Sequence, residues 1–127
     1  MDIKKIHSDR APAAVGPYVQ AKQVGNLLFI SGQLPVSPET HELIVDDIQA
    51  AARASMQNIG FILEAAGASY DELIKCNIYL VDMADFAAVN EVYAEFFTGE
   101  YPARACVAVH QLPKGARVEI EAVAAVK

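Results

Sequence analysis

The sequence predicts an α+β fold, a mixed sheet with two helices on one face in the order β-β-α-β-α-β-β. Three observations carry that expectation. Residues 48–66 place apolar side chains at helical spacing, residues 75–80 alternate with a period of two, and the last quarter of the chain holds two apolar, strand-like runs with no helix between them. Two helices cover one face of a sheet, not both. The uncovered face is nevertheless apolar along Ala105–Val109 and at the end of the final strand, and such a face usually meets another subunit. An oligomer is the expected assembly, with loops over that face as the alternative.

Each element has a local cause. Tyr18–Val24 and Leu27–Ser31 read as two strands, and Gly25-Asn26 between them is a two-residue hairpin signal. Pro35 and Pro38 end the extended stretch. Asp46 and Asp47 offer an N-cap for a long amphipathic helix marked by Ile48, Ala52, Met56, Ile59, Leu63 and Ala66, with Gly67 as its stop. Cys76, Ile78 and Leu80 alternate with Lys75, Asn77 and Tyr79, which is a strand pattern. A second helix begins near Asp85, its buried stripe marked by Phe86, Val89, Tyr93 and Phe96/Phe97, and Gly99 and Pro102 close it. Strands near Ala103–His110 and Arg117–Val126 complete the chain, and residues 1–127 read as one domain without repeat or linker.

Composition narrows the function. The chain has 127 residues, 54% hydrophobic and 20% charged, enough to bury a core without disulfides. Its net charge of −6 opposes non-specific attraction to nucleic acid or to an anionic membrane surface. No apolar run reaches transmembrane length and no signal-peptide pattern is visible, so a cytoplasmic protein without membrane partners is expected. Cys76 and Cys106 form no spaced framework, which fits a reducing compartment. His7, His41 and His110 show no paired-ligand spacing, so no metal site is expected. There is no phosphate-binding glycine loop and no nucleophile elbow around Ser31-Gly32.

Two charged residues stand in odd places. Arg104 opens an apolar strand, sharing a face with Cys106 and Ala108. Its planar fork suits bidentate capture of a carboxylate, although an edge arginine paired with a surface acid explains the pattern slightly better. Glu119 lies between Val118 and Ile120 on the same side as Glu121. A carboxylate in a partly dry strand can act as a general acid or base; plain alternation on a wetted face is the competing and somewhat favoured explanation. If the last two strands formed a simple hairpin, Arg104 and Glu119 would sit roughly four residues apart, on the order of 13 Å, too far for an ion pair. A small substrate could bridge part of that gap, the strands need not be neighbours, or a second chain could supply one of the groups.

Four blocks resemble a known family, the reactive-intermediate deaminases of the RidA (YjgF) type. They are Ala11-Pro12-Ala13-Ala14-Val15-Gly16-Pro17-Tyr18-Val19-Gln20-Ala21, Phe29-Ile30-Ser31-Gly32-Gln33-Leu34-Pro35, Phe86-Ala87-Ala88-Val89-Asn90-Glu91-Val92-Tyr93, and Tyr101-Pro102-Ala103-Arg104-Ala105-Cys106-Val107 followed by Leu112-Pro113 and Val118-Glu119-Ile120-Glu121-Ala122. They cover nearly the whole chain in order. The resemblance implies a chorismate-mutase-like fold assembled as a homotrimer with sites between subunits. It implies hydrolysis of 2-imino acids, such as 2-iminobutanoate and the 2-iminopropanoate that arises from 2-aminoacrylate, to 2-keto acids and ammonia without a cofactor. It further implies that Arg104 holds the substrate carboxylate and that Glu119 positions or activates the water. Cys106 would contribute through its backbone, and Tyr18, Ser31 and Asn90 would line the cleft. For Asn90, poorly placed in mid-helix, a packing or polar-contact role ranks ahead of substrate contact, and no covalent catalysis is expected of Cys106. Val19, often serine in the family, and the short Thr98-Gly99-Glu100 segment are departures that touch the cleft rim. The alternatives to an enzyme are a trimer that binds 2-keto acids without turnover, and a ribonuclease, which the acidic balance disfavours.

Overall fold

The computed structural model describes residues 2–127. Its elements are β1 (Ile3–Ile6), β2 (Ala21–Val24), β3 (Leu27–Gln33), α1 (Ile48–Ala65), β4 (Leu73–Leu80), α2 (Phe86–Ala94), β5 (Ala103–Ala108) and β6 (Val118–Ala125). The six strands form one mixed sheet in the order β1-β2-β3-β6-β4-β5, antiparallel throughout except for the parallel β4–β5 pair.

The hairpin is as expected: Val24 pairs with Leu27 across Gly25-Asn26, and Gly25 takes the positive φ of 57° that the tight turn demands. Asp47 caps α1, its Oδ1 accepting from the Gln49 and Ala50 amides at 3.1 Å, and Gly67 follows the helix end with φ 74°. Ala51, Ala52 and Ala54 are buried along α1, beside a stripe of Met56, Ile59, Ile62 and Leu63. They pack on Leu28, Ile30, Cys76, Ile78, Leu80, Val118, Ile120 and Ala122 of the sheet. Each large aliphatic side chain removed from water here contributes about 1.5–3 kcal/mol. The alternation of β6 is complete, with Val118, Ile120, Ala122 and Ala124 inward and Glu119, Glu121, Val123 and Ala125 outward.

Three expectations are corrected, and one alternative that the sequence leaves open is decided. A further strand, β1, precedes the first expected one and pairs with β2 at the sheet edge; its Ile-Lys-Lys-Ile pattern is mostly exposed and has no amphipathic signature. Tyr18 lies outside the strand, because the chain leaves the sheet before Ala21 and the Gln20 amide turns inward to bind the preceding loop. The second helix stops at Ala94, and Phe96 and Phe97 reach the core from the segment after it. Finally, the last two strands are not a hairpin. The β4-α2-β5 crossover returns the chain parallel to β4 at the sheet edge, and residues 109–117 then carry it past β4 to insert β6 between β3 and β4. A strand apolar over its whole inner face belongs in that central position.

Both helices cover one face. The other face carries Phe29 (45% exposed) and Val107 (48% exposed) together with Ala103 and Ala105, an apolar surface left open in the single chain.

Candidate functional site

Arg104 lies on the helix-covered side of β5, opposite Cys76 of β4. Its Nη1 donates to Oδ1 of Asn90 at 2.6 Å, and its guanidinium carbon stands 5.1 Å from the centre of the Tyr93 ring and 5.5 Å from that of Phe86. All three partners come from α2, where positions 86, 90 and 93 share a face. This answers why a poor helix former occupies position 90: its side chain orients the arginine. Among the described residues Arg104 forms no ion pair. It lines a cleft of about 710 Å3, walled by Phe86, Ala87, Tyr101 and Pro102. A guanidinium clasped on one edge, flanked by rings and lacking a carboxylate, is prepared for an anion. Cys106 follows two residues along the same side, half-buried; burial pushes its thiol up, only partly opposed by Arg104, so it is not an activated thiolate.

Glu119 lies on the opposite, open side of the sheet. It lines a second cleft of about 600 Å3 with Tyr18, Ser31, Gly32, Lys114 and Glu121. Burial raises its carboxyl above the usual glutamate range, and the neighbouring charge of Glu121 raises it further. Among the described residues its side chain accepts no hydrogen bond, whereas Glu121 accepts one from the Tyr79 hydroxyl. The wall of this cleft is built from loops pinned to strands. The Ser31 hydroxyl donates to the Val19 carbonyl at 2.6 Å, and the Ser31 amide to the Gln20 carbonyl at 2.9 Å. The buried Gln20 amide bonds Ser8 in both directions and donates to the Pro12 carbonyl at 2.8 Å. These bonds hold residues 8–20, and with them the half-exposed Tyr18, against β3.

The sequence-derived residues therefore fall into two groups. Arg104, Asn90 and Cys106 come together on the helix side, and Tyr18, Ser31 and Glu119 on the open side. Arg104 and Glu119 do not meet. They stand two strands apart and opposite β4 positions three residues apart, Cys76 and Tyr79, which places their Cα atoms about 14 Å from one another, facing opposite ways. Sequence reasoning missed Gln20, Gly32, Tyr79, Glu121 and Lys114, as well as the aromatic walls of Phe86 and Tyr93, which it read only as core. Two of these carry a signal in the sequence: Gln20, an amide between the apolar residues Val19 and Ala21, and Glu121, on the same side of its strand as Glu119. Lys114 takes φ 60° in the turn before β6, which no pattern announces.

Known proteins share this fold and much of this sequence. The family model described as Endoribonuclease L-PSP matches residues 8–126. Protein DfrA of Myxococcus xanthus is 50% identical over 123 residues, 95% of this chain and 94% of that protein. The Escherichia coli protein named 2-iminobutanoate/2-iminopropanoate deaminase is 46% identical over 124 residues, covering 95% and 96% of the two chains. The crystal structure of E. coli TdcF with bound serine superimposes with a TM-score of 0.93 at 46% identity, over 98% of this chain and 99% of that one. With its fold, its blocks of sequence and its full-length relatives in agreement, this chain belongs to the Endoribonuclease L-PSP family, the YjgF/RidA proteins.

Proposed function

We propose that the protein hydrolyses reactive 2-imino acids to 2-keto acids and ammonia, in a site that joins the Arg104 cleft of one subunit to the Glu119 cleft of its neighbour in a homotrimer. The observation that carries this is the separation of the two groups. A three- or four-carbon imino acid spans about 5 Å, far less than the roughly 14 Å between them across the sheet. A reaction that uses both needs two chains, and the open apolar sheet face supplies a surface on which a second copy can dock. The relative named as a deaminase supports the choice of substrate.

The chemistry asks little beyond orientation and a proton route. Arg104, held by Asn90, fixes the substrate carboxylate. Water attacks C2 of the protonated imine while the Glu119 carboxylate takes one of its protons, giving a neutral carbinolamine. Glu119 returns that proton to nitrogen; as the C–N bond breaks the hydroxyl gives up its proton to the departing amine by way of Glu119, and the 2-keto acid and ammonium leave with Glu119 ionised again. A raised carboxyl makes Glu119 a stronger base than an ordinary glutamate once ionised.

The test is keto-acid release from 2-iminobutanoate generated in situ by a threonine dehydratase. Wild type accelerates release, and Arg104→Ala lowers kcat/KM by about a hundredfold or more. Spontaneous rates for both proteins would sink the enzyme reading. Calorimetric binding of 2-ketobutanoate without acceleration would leave a metabolite-binding trimer in its place.

A further inference from the structure

We infer that Gly32 is a positioning residue whose missing side chain provides the seat for the Glu119 carboxylate. The inference rests on the proposed role of Glu119 as the base. β3 and β6 pair in register through Ile30–Ala122 and resume at Gln33–Ile120, so three steps on β3 match two on β6. One extra residue is therefore carried by β3, a β-bulge at Ser31-Gly32. The bulge has a visible consequence for side-chain direction. Ile30 and Gln33, paired with the inward Ala122 and Ile120, are both buried, an odd spacing that strict alternation forbids, and Ser31 and Gly32 between them both border the open-face cleft, which Gln33 also touches. The backbone of Gly32 is thereby brought under the side chain of Glu119.

The approach leaves no room for a substituent. A Cβ built on Gly32 would lie 2.8 Å from Cδ and 3.1 Å from Cγ of Glu119, and closer still to Oε2. Gly32 has no positive φ, so the glycine is required by contact rather than by backbone conformation. The atoms it would strike are the far end of a flexible side chain, not backbone. Alanine at position 32 therefore fits the fold at the expense of the carboxylate, which must leave its place. The same bulge fixes the substrate-facing Ser31 through its bonds to Val19 and Gln20, so one irregularity sets both the wall of the cleft and the base within it.

The experiment compares wild type, Gly32→Ala, Glu119→Ala and the double variant. Gly32→Ala is expected to keep the native fold and to lose about tenfold to a hundredfold in kcat on 2-iminobutanoate, with KM within about twofold. In the same variant the Glu119 carboxyl, followed by carbon-13 NMR, titrates at lower pH than in wild type, because the displaced group moves into water. Gly32→Ala lowers the melting temperature when Glu119 is present and does not lower it in the Glu119→Ala background. Unchanged kcat and titration, or an equal thermal loss in both backgrounds, overturns the inference. If wild type shows no turnover the proposed function fails, yet the titration and the thermal coupling still decide whether Gly32 seats Glu119. If Gly32→Ala does not fold, the double variant separates the two explanations: folding of the double supports a clash with Glu119, and its failure contradicts it.

Discussion

The two clefts are built on different principles. The Arg104 cleft draws its orienting groups from one regular helix, where Phe86, Asn90 and Tyr93 fall on a common face because of the 3.6-residue period. The Glu119 cleft is assembled from irregular pieces: a bulge at Ser31-Gly32, a loop pinned by Gln20, and a turn with Lys114 at positive φ. The first offers a guanidinium held in place by Asn90, and the second a carboxyl whose affinity for protons is set by burial and by Glu121. In the proposed mechanism, binding is thus entrusted to regular structure and proton transfer to irregular structure, on opposite faces of one sheet.

That division is sharpened most by removing the base. Glu119→Gln is expected to lower kcat by about 10²–10⁴-fold while leaving KM close to wild type, since the carboxylate anchor is untouched. A KM effect larger than the kcat effect, measured by steady-state keto-acid release, would break the separation of binding from proton transfer.

The anchor comes next. Asn90→Ala removes the bond that orients Arg104 but leaves the cation and both rings in place. A charge-assisted bond of this kind is worth about 1.5–3 kcal/mol, so kcat/KM falls by about tenfold to a hundredfold, and the pH profile keeps its shape. A displaced acid limb in this variant would show that the two halves are not independent.

Such a contrast explains what could be read in advance. Both helices, the Gly25-Asn26 hairpin and the inner face of β6 follow from periodicity and turn chemistry, which are local. Arg104 and Glu119 were visible as charges within apolar strands, but their own patterns slightly favoured bland explanations, and resemblance to a family raised them. Their placement on opposite faces was not legible, because it depends on β6 inserting between β3 and β4, a long-range pairing with no local signature. The bulge was equally hidden: Ser31-Gly32 reads as turn chemistry until the register with Ala122 and Ile120 is known. β1 was lost for the opposite reason, being a mostly exposed edge strand with almost no burial to impose a pattern.

The smallest expected effect concerns the tuning of the base. Glu121→Gln removes a negative charge that raises the Glu119 carboxyl, so the acid limb of the kcat profile moves to lower pH with little change in the plateau. The sign follows from protonation: Glu119 acts ionised, activity rises as pH passes its raised value, and lowering that value extends activity toward acid. The same raised value means that ionising Glu119 costs folding free energy. The corresponding stability, that of the protonated form, is fully present below the ordinary glutamate range and is lost as pH rises through the folded value. A limb that stays fixed or moves to higher pH in Glu121→Gln argues against electrostatic tuning by this neighbour.

The most direct test of a site shared between chains is complementation. Arg104→Ala and Glu119→Gln chains, each inactive alone, are co-expressed with different tags and the mixed assemblies are isolated. A site that takes Arg104 from one chain and Glu119 from the next is restored wherever the two variants meet in the right order, which is about one site in three of any mixed trimer, whether its chains are two to one or one to two. Recovery of about a third of wild-type activity in the isolated mixed assemblies is the result expected here. Mixed assemblies as inactive as their parents would contradict a site divided between subunits.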